Sequence, residues 1–129
     1  MKRYIVYIDM DDTICEFRKS YIQYQKSFPW ITYPQSQVGF FINLEPIKDA
    51  VYYVNQLRKI SDVYILTCPS YMNPLCYKEK RLWVERHFGI EFCKKLILCP
   101  KKTLMKGDFL IDEIKWEFEG EQIIFGSSN

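Results

Sequence analysis

The sequence is poor in the features that mark several large functional classes. It has a single histidine, His87, and its five cysteines (Cys15, Cys68, Cys76, Cys93 and Cys99) are scattered, with no C-x-x-C pair. An odd, dispersed set supports neither a disulfide framework nor a zinc site, and free thiols fit a reducing, cytoplasmic setting. Basic residues form no block, and 18 lysines and arginines against 16 acids leave a formal charge of only +2. That balance does not indicate a polyanion-binding surface, so duplex nucleic acid is disfavoured as a partner. No apolar run approaches the ~18 residues of a membrane span. The opening "MKRYIVYIDMDD" turns acidic too soon for a signal peptide, and no internal repeat or low-complexity tract appears. These absences point to an intracellular protein without a membrane partner.

What is present is 129 residues, 48% of them hydrophobic. A chain of this size forms one domain that buries roughly two thirds of its unfolded surface. The run "RYIVYID" (3–9) is β-branched and aromatic on both faces, which predicts a central strand covered on both sides. Further strands are predicted over 62–68, 95–100, 108–112 and 121–126, and helices over 17–28, 42–60 and 74–89. In the second helix Pro46 suits the first turn, and Ile47, Ala50, Val51, Val54 and Leu57 share one face that packs on a sheet. Gly89 closes the third helix. Residues 29–41, rich in turn formers and aromatics, read as part of an insertion. Strands alternating with helices predict a mainly parallel α/β sheet with right-handed crossovers.

Open parallel sheets place their sites at the carboxyl ends of strands. Asp9 ends the first strand, Thr67 the second, and Asp112, followed by Glu113, the fourth; Lys80 lies in the early turns of the helix after Thr67. Carboxylates converging from separate strands repel unless a cation holds them, and carboxylate oxygens completed by water suit magnesium. A carboxylate beside such a cation can attack a phosphoryl group. Asp9 is then the candidate nucleophile and Asp11 the candidate acid/base, with Thr67 and Lys80 on the phosphate oxygens. An EF-hand is excluded, because counting from Asp9 the sixth position is Ile14 rather than Gly and the twelfth is Ser20 rather than Glu. Lys78, Lys101 and Lys106 read as surface charges, and His87 reads as a partner of its helix C-terminus. Cys68 reads as a small buried thiol rather than a nucleophile, with a backbone amide that could face the phosphate. Trp83, Val84 and Phe88 are expected in the core.

"DMDDT" (9–13), with Thr67, Lys80 and the Asp112/Glu113 pair in order, resembles the four-motif signature of haloacid dehalogenase superfamily phosphatases. The chain is closer still to the 5'(3')-deoxyribonucleotidase family, in "FFINLEPIKDAV" (40–51), "ILTCPS" (65–70), "EKRLWVERHFG" (79–89), "KKT" (101–103) and "GDFLIDE" (107–113). The resemblance implies a three-layer Rossmann-like domain over 1–129, with a sheet of about five strands and a reduced cap insertion at about 17–42. It implies magnesium on Asp9, Asp11 (through its carbonyl), Asp112 and Glu113, and phosphate on Thr67, Cys68 and Lys80. Lys102 would lie near the phosphate or sugar, and the substrate would be a deoxynucleoside monophosphate hydrolysed through an aspartyl-phosphate. Where the family has a Gly, a second Asp and an Arg, this chain has Asp12, Glu113 and Pro100. The short interval between Asp11 and Thr67 leaves little room for a helical cap, although Phe17, Phe28, Trp30, Tyr33, Phe40 and Phe41 could stack on a base or form its core. The chain ends at Asn129, just after the fifth strand, where relatives continue into a further helix; the sheet face left open there could take a second copy of the chain. Other readings are a phosphatase for another small phosphomonoester or a nucleic-acid end phosphate, and a phosphate-binding protein without turnover.

Overall fold

The computed structural model describes residues 2–126. Five strands form one all-parallel sheet: β1 (Ile5–Ile8), β2 (Asp62–Thr67), β3 (Leu96–Leu98), β4 (Phe109–Asp112) and β5 (Glu121–Ile124), in the order β3-β2-β1-β4-β5. β1 is central, pairing Ile5 with Asp62 on one side and Val6 with Phe109 on the other. The order runs one way from β1 through β2 to β3 and the other way through β4 to β5. The sheet therefore changes direction between β1 and β4, and a crevice opens at that point beyond the strand ends.

The strands alternate as the pleat requires. Val6, Ile8, Val63 and Ile65 face one side, where they pack with Val54 of α2 (Ala50–Arg58) and with Trp83 and Val84 of α3 (Pro74–Phe88). Tyr7, Leu66 and Leu110 face the other side with Cys99, against Met105, Trp116 and Phe118. Both β1-α2-β2 and β2-α3-β3 progress in the same direction, so right-handed crossovers put both helices on one face. The opposite layer is thin, built from loops and a 3₁₀ turn, Lys102–Leu104, rather than from a long helix. Its close approach needs Gly107, where an added Cβ would stand 2.5 Å from the Tyr7 ring. Among the described residues no helix is long and apolar enough to cross a membrane.

The third helix follows its local signals. Asn73 caps it by accepting the Leu75 amide at 3.0 Å, Pro74 occupies the first turn, and Gly89 ends it at φ 91°. The second helix departs from expectation, starting at Ala50 rather than near residue 42. Pro46 is not in its first turn. It bridges Cys15, while the Glu16 amide donates to the Glu45 carbonyl at 2.8 Å and the Ile47 amide to the Ile14 carbonyl at 2.9 Å. Those backbone groups are spent on the loop after β1, so a helix cannot form until Asp49, at φ 66°, redirects the chain.

α3 also grips the segment before that loop. The Glu79 carboxylate accepts the Gly39, Phe41 and Ile42 amides, the Trp83 indole donates to the Leu44 carbonyl at 2.7 Å, and Arg86 donates to the Ile42 carbonyl. Phe40 and Phe41 are thereby buried, at 3% and 2% exposure, and join the core with Phe17 of the helix α1 (Phe17–Ser27). Phe28, Trp30 and Tyr33 remain exposed.

Candidate active site

Beyond β1 the chain turns sharply. The Thr13, Ile14 and Cys15 amides all donate to the Met10 carbonyl, and Asp12 adopts φ 61°. That left-handed conformation is natural to glycine and within reach of aspartate, which explains how Asp12 occupies a glycine position. Its side chain is used as well, accepting the Arg18 amide at 3.0 Å.

Two buried ammonium groups organise the crevice. Lys102 donates to Asp9 Oδ1 and to Asp112 Oδ2, each at 2.6 Å, joining the ends of β1 and β4. Lys80 donates to Asp11 Oδ2 at 3.0 Å, Thr67 Oγ1 at 2.6 Å and the Cys68 carbonyl at 3.1 Å. Its side chain is only 1% exposed, so the lysine that reads locally as one of a mixed-charge surface run is buried. Phe41 lies 5.4 Å below the same ammonium. The Thr13 hydroxyl donates to Asp9 Oδ2 at 3.1 Å, so both oxygens of Asp9 are held.

Three carboxylates, Asp9, Asp11 and Asp112, thus share two ammonium groups. Burial pushes the Asp9 carboxyl up to about 7, with Asp112 and Asp11 adding to the rise and Lys102 opposing it. Burial alone would lower Lys102, yet Asp9 and Asp112 outweigh it and hold the ammonium above its usual value. The site is short of positive charge. Burial also raises the Cys68 thiol, which keeps it protonated and weakly nucleophilic. Glu113 pairs with Arg18 at 3.6 Å.

Among the described residues no three His, Cys, Asp or Glu side chains cluster so as to hold a metal ion by themselves. Asp9 and Asp112, which face each other across Lys102, offer hard oxygen donors of the kind a water-rich magnesium ion takes. Three converging carboxylates against two ammonium groups leave room for a further cation there. Beside these groups lies a pocket of about 400 Å³ lined by Asp11, Asp12, Phe17, Arg18, Tyr21 and Glu113. Phe17 and Tyr21 stack on its wall, ring centroids 6.0 Å apart.

Every expected site residue except Glu113 meets this double ammonium network. Sequence reasoning placed Lys80 with Thr67 on the phosphate and Lys102 at the margin. In the structure Lys102 is the lysine in contact with Asp9. Thr13 also contacts Asp9, and its place two residues after Asp11 in "DMDDT" is the sequence signal for it. Trp116, whose indole donates to Asp112 Oδ2 at 3.0 Å, had none.

A parallel sheet carrying an aspartate-rich loop at its switch point, with threonine and lysines converging on it, places the chain in the haloacid dehalogenase superfamily. Residues 25–129 match the family described as 5' nucleotidase, deoxy (pyrimidine), cytosolic type C, and the chain belongs to that family. A Vibrio phage KVP40 protein assigned as a 5'(3')-deoxyribonucleotidase is 38% identical over 130 residues, covering 95% of this chain and 76% of its own length. The mitochondrial 5'(3')-deoxyribonucleotidase of Mus musculus is 31% identical over 84% of this chain and 63% of its own length. The cytosolic type from Homo sapiens is 42% identical over 58% of this chain, and the match spans 38% of that relative.

Proposed function

We propose that this chain is a magnesium-dependent phosphomonoesterase of the 5'(3')-deoxyribonucleotidase kind. It would dephosphorylate deoxynucleoside monophosphates through an aspartyl-phosphate on Asp9. The observation that carries this reading is the geometry of Asp9: a buried carboxylate held on one oxygen by Lys102 and on the other by Thr13, at the sheet's switch point.

In this mechanism an Asp9 oxygen forms a bond to phosphorus as the bond from phosphorus to the nucleoside oxygen breaks. Asp11 gives that leaving oxygen a proton. Asp11 then takes a proton from water, whose oxygen attacks phosphorus and releases phosphate from Asp9. Lys80 orients Asp11 and, with Thr67, offers donors to the phosphoryl oxygens. Lys102 supplies positive charge at Asp9 as negative charge gathers on the phosphoryl group. Asp9 and Asp112 would hold magnesium, which would supply the additional positive charge that phosphoryl transfer requires.

Residues 17–42 serve as the cap in this reading. Phe17 and Tyr21 of α1 form a stacked wall for the nucleoside, in the pocket that starts at Asp11. Phe40 and Phe41 support that wall from the core rather than stacking on substrate.

The test is phosphate release from nucleoside 5'- and 3'-monophosphates, sugar phosphates and an aryl phosphate, with magnesium or chelator, for the wild type and Asp9→Asn. Magnesium-dependent release favouring deoxynucleotides, lost in the variant, is expected. Release from aryl or sugar phosphates alone would refute the nucleotide substrate, and turnover by Asp9→Asn would refute the covalent step.

A further inference from the structure

Asp112 is held by more than its partner lysine. Its Oδ2 accepts both the Lys102 ammonium, at 2.6 Å, and the Trp116 indole N–H, at 3.0 Å, while Oδ1 accepts the Ile114 amide at 3.0 Å. An ionised carboxylate offers about four acceptor positions, so little of this buried group is left uncommitted. Trp116 is itself fixed. Gln122 on the edge strand β5 clasps its loop from two sides, accepting the Trp116 amide at 3.0 Å and donating to the Ile114 carbonyl at 2.6 Å. The Trp116 ring packs against the second core cluster, and the Lys102 ammonium lies 5.8 Å from its centre.

We propose that Trp116, clasped through Gln122, is a positioning residue for this site. Its N–H fixes the rotation of the Asp112 carboxylate, which sets both where Lys102 sits against Asp9 and which acceptor position remains for a divalent cation. A carboxylate with only Lys102 and one amide on it could turn about its last side-chain bond and carry the flexible ammonium with it. Partners that orient a metal-ligating carboxylate are typically worth 10–100-fold in metal affinity or activity. The kinetic part of this inference rests on the nucleotidase reading; the cation-binding part does not.

The full-length wild type, Trp116→Phe and Gln122→Leu are stripped of metal and titrated calorimetrically with magnesium chloride. Melting curves and phosphate release at saturating magnesium accompany each titration. Trp116→Phe keeps the ring packing and removes the N–H, so magnesium affinity and kcat should each fall about tenfold, with little change in melting. KM should stay within about twofold, since the lost interaction does not touch the substrate. Gln122→Leu should shift the same two quantities in the same direction by a smaller factor. Unchanged magnesium affinity in a folded Trp116→Phe overturns the proposal, and if that variant fails to fold, unchanged affinity in Gln122→Leu does so. A wild type that binds no magnesium overturns it as well. A wild type that binds magnesium but releases no phosphate refutes the nucleotidase reading, while the titrations still decide this one.

Discussion

Glu79 is the residue whose replacement should most clearly separate packing from chemistry. It is buried at 5% exposure, and its carboxylate accepts the amides of Gly39 at 2.8 Å, Phe41 at 3.0 Å and Ile42 at 3.3 Å. In Glu79→Gln the amide oxygen can still serve Phe41 and Ile42, but the new NH₂ faces the Gly39 N–H donor to donor. One buried amide is orphaned at about 1–3 kcal/mol, and the surviving bonds lose charge assistance worth about 1 kcal/mol more. The expected loss is about 3 kcal/mol. With an unfolding entropy of about 2.1 cal/mol/K per residue, that lowers the melting midpoint of a chain of this length by roughly 10 °C. Differential scanning calorimetry on metal-free protein measures it directly. A shift under about 3 °C, less than 1 kcal/mol, would mean that the 39–42 amides find other partners and that α3 does not hold this segment as described. At temperatures well below the midpoint the variant should keep its metal binding, because no Glu79 contact reaches Asp9 or Asp112.

Three further outcomes follow from other contacts. Asp9 is an acid whose folded value, about 7, lies above its unfolded one; the folded state therefore binds the extra proton, and its contribution to stability is lost as pH rises from about 4 through about 7. In chelator, Asp9→Asn should gain on the wild type across that window, by about 2 kcal/mol at pH 8 after allowing for the coupling to Lys102; equal melting curves at pH 5 and pH 8 would contradict this. Gly107→Ala puts a methyl 2.5 Å from the Tyr7 ring and 3.0 Å from Ile5, so it should cost about 2 kcal/mol or more through overpacking, read as a lowered urea midpoint. Thr13→Val removes the hydroxyl on Asp9 Oδ2 and should lower kcat about tenfold with a small effect on KM; an unchanged kcat would show that Lys102 alone orients Asp9.

Much of this protein was legible along the chain. The β1 run, uninterrupted by polar residues, announced a strand covered on both faces, and β1, β2 and β4 pair where apolar runs end in Asp9, Thr67 and Asp112. Asn73, Pro74 and Gly89 bounded α3 because caps and φ limits act over a few neighbouring residues. What the sequence left open was decided by contacts between distant segments. Nothing local distinguishes Lys80 from the other charges of its run, or tells that Lys102 meets an aspartate 93 positions away. The strand order decides both, since β1 beside β2 brings Asp11 and Thr67 together at Lys80, and β1 beside β4 brings Asp9 and Asp112 together at Lys102. The same holds for Pro46, which suits a helix start but is taken by the loop at Cys15, and for Glu113, which reads as half of an acidic pair but turns to Arg18 of α1. Sequence by itself determined which residues stand at the strand ends and in the motifs, because strand ends and motif spacing are local properties. Only the tertiary structure decided which ammonium meets which carboxylate, because burial and like-charge repulsion are settled by groups that the chain brings together from far apart.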